Sequence, residues 1–137
     1  MTDERSPHAM LHPRNWKPAK GYANGVAAEG RLIFVAGQIG WNAEQKWESR
    51  DFVAQARQAL QNVAAVVREA GGSPQHITRL TWYVIDKQDY LSRLAEMGEA
   101  YRSVMGRHFP AMTMVQVTAL VEDDAKVEIE ATAVVPK

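Results

Sequence analysis

Cysteine is absent from this sequence of 137 residues. That excludes disulfides, thiolate metal sites and a cysteine nucleophile. An excess of either charge is also missing: 16 Lys+Arg balance 16 Asp+Glu, for a formal net charge of zero. No overall basic footprint therefore invites nucleic acid or an anionic membrane. No apolar run approaches the ~20 residues of a membrane-spanning helix. The opening MTDERSPHAM lacks the apolar core of a secretory signal. The expectation is a soluble, cytoplasmic protein with no membrane partner. The four histidines (His8, His12, His76, His108) are scattered without metal-ligand spacing. G-x-G-x-x-G, P-loop and G-x-S-x-G patterns are missing too. Neither a metal set nor a serine nucleophile is expected.

What is present suffices for one domain with a proper core, since 46% of the residues are apolar and the length is too short for two domains. Residues 1–20 hold three of the six prolines and two of the histidines without periodicity. They read as an extended arm or tail that docks near Trp16. GYANGVAAEGRLIFVAGQIG reads as a hairpin of strands 23–28 and 31–36, turned at Glu29-Gly30. The second of these strands is almost wholly apolar, as for a strand covered on both faces. Gly37 and Gly40 bracket Gln38-Ile39 and mark a place where the backbone approaches something closely, although Gly40 also fits a plain turn.

A helix follows. Phe52, Ala56, Leu60, Val63, Val67 and Ala70 form one apolar stripe, Ser49 can cap its start, and Gly71-Gly72 ends it. HITRLTWYVID reads as a strand with Leu80, Trp82 and Val84 on one face. Asp86 can cap a second helix with a stripe of Tyr90, Leu94, Met97, Tyr101 and Val104, which Gly106 stops. FPAMTMVQVTALVEDDAKVEIEATAVV closes the chain as two strands, about 111–121 and 126–135, joined by an acidic turn. The order β-β-α-β-α-β-β gives an α+β fold, with two helices on one face of a mixed sheet. The other face is expected to be semi-polar, with Glu128, Glu130 and Thr132 from the last strand and Met112, Met114 and Gln116 from the one before. Such a face suits a subunit contact. Glu128 and Glu130 fit two readings, a solvated strand face or a partly shielded carboxylate that positions water for acid–base work.

GYANGV, VAGQIG, QARQALQNVAAVVREAG, FPAMT and AKVEIEATAV, taken in this order, resemble the motifs of the RidA/YjgF reactive-intermediate deaminase family. That family is also called L-PSP endoribonuclease or translation-initiation inhibitor. The resemblance covers about residues 21–135, so residues 21–137 are expected to form a single RidA-like domain behind the arm. It implies a chorismate-mutase-like fold, a homotrimer with ligand clefts between subunits, and cofactor-free hydrolysis of enamines and imines to a keto acid and ammonia. Matched residue by residue, Tyr22 takes the aromatic position of the cleft. Gly37 takes the backbone contact of the family's SGQ motif, here AGQ. Glu128 takes the first glutamate of EIE, which positions the water. Met112 departs from the pattern, because the family's well-studied deaminases place there an arginine that clamps the substrate carboxylate. Methionine offers neither charge nor donor. Arg107 is the one nearby cation that could reach back in its place.

Three functions compete: a deaminase of a substrate other than 2-aminoacrylate, a non-catalytic small-molecule-binding trimer, and an RNA-directed activity. Zero net charge and the lack of basic–aromatic interleaving count against the last.

Overall fold

Strict alternation of apolar and polar residues in VEIEATAVV predicts a strand with two unlike faces, and the fold is built around it. The computed structural model describes residues 6–137. Its strands are β1 (Ala9–Leu11), β2 (Gly25–Ala27), β3 (Arg31–Ile39), β4 (Ile77–Val84), β5 (Ala111–Gln116) and β6 (Val127–Val135). Its helices are α1 (Phe52–Glu69), α2 (Lys87–Leu91) and α3 (Leu94–Met105), with a short 3₁₀ turn at Pro74–His76. The main sheet has the order β3-β6-β4-β5. β6 is antiparallel to both its neighbours, and β5 runs parallel to β4. The fold is α+β with helices over one face of a mixed sheet, as expected. None of the helices among the described residues is long and apolar enough to cross a membrane.

Several local expectations are corrected. The supposed first hairpin does not exist: β2 pairs with β1, and β3 pairs with β6. Gly30 is still required, because at φ +147° a Cβ there would come 2.2 Å from the Val135 carbonyl oxygen. Part of the expected arm is therefore a strand. Ser6 Oγ also donates to the Gln75 carbonyl at 3.0 Å, and His8 Nε2 lies 3.0 Å from the His76 carbonyl. Trp16, expected to dock the arm, is 58% exposed. Residues 1–5 of that arm lie outside the described residues. The closing strands are no hairpin either, since β4 runs between β5 and β6.

α1 buries the predicted stripe of Phe52, Ala56, Leu60, Val63 and Val67 against the sheet. Each fully buried aliphatic side chain of this kind contributes about 1.5–3 kcal/mol. The helix ends in a Schellman pair, Gly72 N–H to the Val67 carbonyl and Gly71 N–H to the Arg68 carbonyl, with Gly71 at φ +83°. Asp51, not Ser49, is its N-cap: the carboxylate accepts from Ala54 N at 3.0 Å, while Ser49 Oγ accepts from Asp51 N. The second predicted helix breaks at Ser92-Arg93 into α2 and α3. Its apolar stripe is displaced as well, because Met97, Ala100, Tyr101 and Met105 are buried while Leu94 is exposed. Arg93 at the break donates to Asp51 (2.6 Å) and to Glu96 (2.7 Å), so it ties the start of α1 to the start of α3.

Asp51 thus caps a helix and pairs with Arg93, whose hydrogen bond holds its carboxyl below the ordinary range. Asp51→Ala should lose about 0.5–2 kcal/mol in urea denaturation. Asp51→Asn keeps the cap acceptor and should lose less. The ion-pair contribution is present above the ordinary carboxylate pKa of about 4 and is lost as pH falls below it. The gap between wild type and Asp51→Asn should therefore close on acidification.

Candidate functional site

Glu128 stands on the sheet face away from the helices, because its neighbours Val127 and Ile129 are fully buried on the helix side. Beside it the β3–β6 ladder slips its register between Val35 and Gln38, which leaves Ala36 and Gly37 unpaired with β6. Gly37 has no side chain there, and the Glu128 carboxylate occupies the space: a Cβ at Gly37 would come 2.8 Å from Glu128 Cδ. Gly40 is also a close approach, with its missing Cβ 2.7 Å from the Gln55 Cα of α1. That contact is structural. Gln55 is buried, donates to the Asp124 carbonyl (3.0 Å) and accepts from Lys126 N (2.8 Å).

Glu130, two residues on, is engaged: Tyr83 Oη donates to its Oε1 at 2.7 Å. This bond raises the Tyr83 phenol above its ordinary pKa. Glu128 has no hydrogen-bond or ion-pair partner among the described residues. Of the two carboxylates, it is the half-buried one with its oxygens free.

Met112 belongs elsewhere. Its β5 register partner is Leu80, and Met114 pairs with Trp82, so both methionines face the helices. The predicted grouping of these methionines with the two glutamates on one face is thereby corrected. Met112 lines a cleft of about 490 Å³ with Tyr22, Lys20, Phe109, Met114 and residues of α3. The cleft is set by stacking and two buried hydrogen bonds. Phe109 stacks on Tyr101 with centroids 5.3 Å apart. Tyr101 Oη donates to the His108 carbonyl at 2.5 Å, and His108 Nε2 donates to the Ile77 carbonyl at 2.7 Å. Burial pushes the Tyr101 phenol up and the His108 imidazole down, so both stay neutral. Ala23 N donates to the Pro110 carbonyl at 3.0 Å, which brings Tyr22 to the mouth of the cleft.

The five residues predicted for a site therefore divide. Gly37 on β3 and Glu128 on β6 meet on the sheet face away from the helices, and Tyr22 and Met112 meet at the β5 edge. In the order β3-β6-β4-β5, β5 lies three strand spacings of about 4.8 Å from β3, roughly 14 Å, and two from β6, roughly 10 Å. Arg107 lines neither of the two hollows that Met112 lines. The cations that do are Lys20 and Arg102 in the larger and Arg79 in the smaller. Sequence reasoning missed Arg102 and Tyr83. Arg102 lies four residues after Gly98 on α3, and Tyr83 sits on the face of β4 opposite its apolar stripe. Among the described residues no group of three or more His, Asp or Glu is placed to hold a metal.

The family model described as Endoribonuclease L-PSP matches residues 13–135. A RutC family protein of Pasteurella multocida is 34% identical over 125 residues, 91% of this chain and 96% of its own length. The Escherichia coli protein named 2-iminobutanoate/2-iminopropanoate deaminase is 38% identical over 116 residues, 82% of this chain and 86% of its own. Among solved structures, a protein of unknown function of the conserved Rid protein family from Yersinia pestis superposes with a TM-score of 0.83 at 30% identity, over 93% of this chain and 98% of that one. The motifs, the fold and these matches agree: the chain belongs to the Endoribonuclease L-PSP family, the RidA/YjgF family of reactive-intermediate deaminases.

Proposed function

We propose that the protein is a cofactor-free hydrolytic deaminase of a reactive enamine or imine, working as a homotrimer whose site is completed between subunits. The observation that carries the reading is the unpartnered Glu128 carboxylate in the space left by Gly37. Water adds across the C=N bond of the imine, which an enamine reaches by tautomerisation. Glu128 takes a proton from that water and returns it to the nitrogen. The carbinolamine then collapses to a carbonyl and releases ammonia. The register slip at Ala36-Gly37 bends the backbone beside the carboxylate, where a ligand can approach it. The name of the Escherichia coli relative supports this chemistry. The formal net charge of zero argues against the RNA chemistry in the family's other name.

Assembly follows from the split site. Between β5 and Gly37 lie two strands and between β5 and Glu128 one, and Glu128 stands on the sheet face opposite Met112, so the two pairs do not meet within one chain. A neighbouring copy supplies the second half. The open sheet face suits such a contact, with Leu32 58% and Phe34 75% exposed. Those two residues, expected to be buried on both sides within one chain, are covered on one side only. Met112 in place of the arginine points to a substrate other than simple 2-aminoacrylate.

General acid–base catalysis is worth about 10²–10⁴-fold, so Glu128→Gln should lower turnover of any imine substrate by that order with little change in ligand affinity. Gly37→Ala displaces the same carboxylate and should reduce turnover with it. Its clash is with the end of a flexible side chain, so its urea midpoint should hardly move. Unchanged turnover in Glu128→Gln removes this residue from the chemistry, and a ligand bound but never turned over by wild type favours the non-catalytic binder. Sedimentation should show wild type as a trimer at micromolar concentration and Phe34→Asp as a folded monomer. A monomeric wild type sinks the shared site.

A further inference from the structure

The cleft lined by Met112 has no Asp or Glu in its wall and two cations, Lys20 and Arg102. Its own field therefore selects an anion. The rest of its surface is thioether and aromatic, chiefly Met97, Met112, Met114 and Phe109. Methionines fit irregular apolar bodies and make favourable contacts with rings. At about 490 Å³ the cleft holds far more than a three-carbon acid.

Arg102 is the cation that the fold has made room for. Gly98 precedes it by one turn of α3, and glycine is the poorest helix former after proline. A Cβ at Gly98 would come 3.0 Å from Arg102 Nη1 and 3.9 Å from Nη2. The glycine thus lets the guanidinium lie back along the helix at the cleft wall. No carboxylate of the described residues pairs with it, in contrast to Arg93 on the same helical arm, which holds two. The charged groups of the cleft wall are thus cations only.

We propose that Arg102 is the anion clamp of this cleft, and that the ligand is a 2-imino or 2-oxo acid with a bulky apolar or aromatic side chain. The carboxylate pairs with the Arg102 fork, and the side chain lies among the methionines. The imine part of this assignment rests on the deaminase reading; the binding part does not. An arginine–carboxylate pair can form in two parallel hydrogen bonds, which a lysine cannot reproduce.

The test separates the two. Binding of phenylpyruvate, pyruvate and the uncharged 3-phenylpropanol to the full chain is measured by calorimetry for wild type, Arg102→Gln and Arg102→Lys. Arg102 is exposed, so neither variant disturbs the core. Wild type should bind phenylpyruvate at least roughly tenfold more tightly than pyruvate, the worth of burying its ring. Arg102→Gln should bind phenylpyruvate roughly ten- to a hundredfold more weakly than wild type, with Arg102→Lys in between. The alcohol should bind all three proteins alike. Equal binding of phenylpyruvate by wild type and Arg102→Gln overturns the clamp, and equal binding of the two acids by wild type overturns the bulky side chain. Turnover of the imine of phenylalanine, generated in situ by an amino-acid oxidase, is then followed by release of ammonia. Binding as predicted with no turnover leaves the clamp standing and removes the deaminase. Turnover with a KM that Arg102→Gln does not raise removes the clamp and leaves the deaminase.

Discussion

Every residue of β6 is committed to one of two faces by the pleat, and the rest of the molecule depends on that commitment. The strand has a neighbour on each side, so it cannot slip by one residue without turning Val127, Ile129, Ala131 and Ala133 out of the core. All four are buried under α1 and α3 or at their margin. The energy that fixes them fixes Glu128 on the opposite face. Its position is thus set by burial of its neighbours, not by any bond that it makes itself. A carboxylate held in this way keeps its oxygens free for a ligand or for water.

Small residues then decide what approaches that face. The register slip in β3 frees backbone that a regular ladder would consume, and Gly37 makes the space that Glu128 enters. Gly40, three residues on, serves a different end. Its contact is the backbone of α1, which sets how closely the helix packs on the sheet. Two glycines in one motif therefore do separate work, one for the site and one for the core. Spacing alone could not assign them.

What was legible in the sequence was whatever rests on local period. The stripe of α1, the alternation of β4 and β6, the caps at Asp86 and Gly106 and the α+β class all follow from residues a few places apart. Strand partners do not. Adjacent strands joined by a turn suggest a hairpin, yet β3 pairs with β6 about a hundred residues away, and β4 inserts between β5 and β6. The face of Met112 was lost through the same error: an antiparallel hairpin with β6 would place it differently from the parallel pairing with β4 that the structure shows. The break before α3 was hidden because Ser92-Arg93 is unremarkable in helix propensity, and one of the two carboxylates that hold Arg93 there, Asp51, lies forty-two residues earlier. The family motifs named Glu128, Gly37 and Tyr22, but a motif cannot show that Tyr22 lies at the β5 side, away from the other two.

Position 112 ties these points together. An arginine there would extend from an edge strand toward the helices, so its charge would meet a ligand from the sheet side of the cleft. A guanidinium at position 102 meets the same cleft from the α3 side. Moving the cation from one wall to the other turns the axis along which an anion is held. It also frees the sheet wall for Met112 and Met114, whose thioethers can pack against a ring that an arginine would have to displace or stack upon. Met112 and the glycine at 98 then shape opposite walls of the same cleft. The first opens apolar volume next to the strand, and the second lets a cation lie flat against the helix on the far side of it. On the proposed assignment, a ligand held by its acid at α3 lies across that volume with its apolar part against Met112 and Met114.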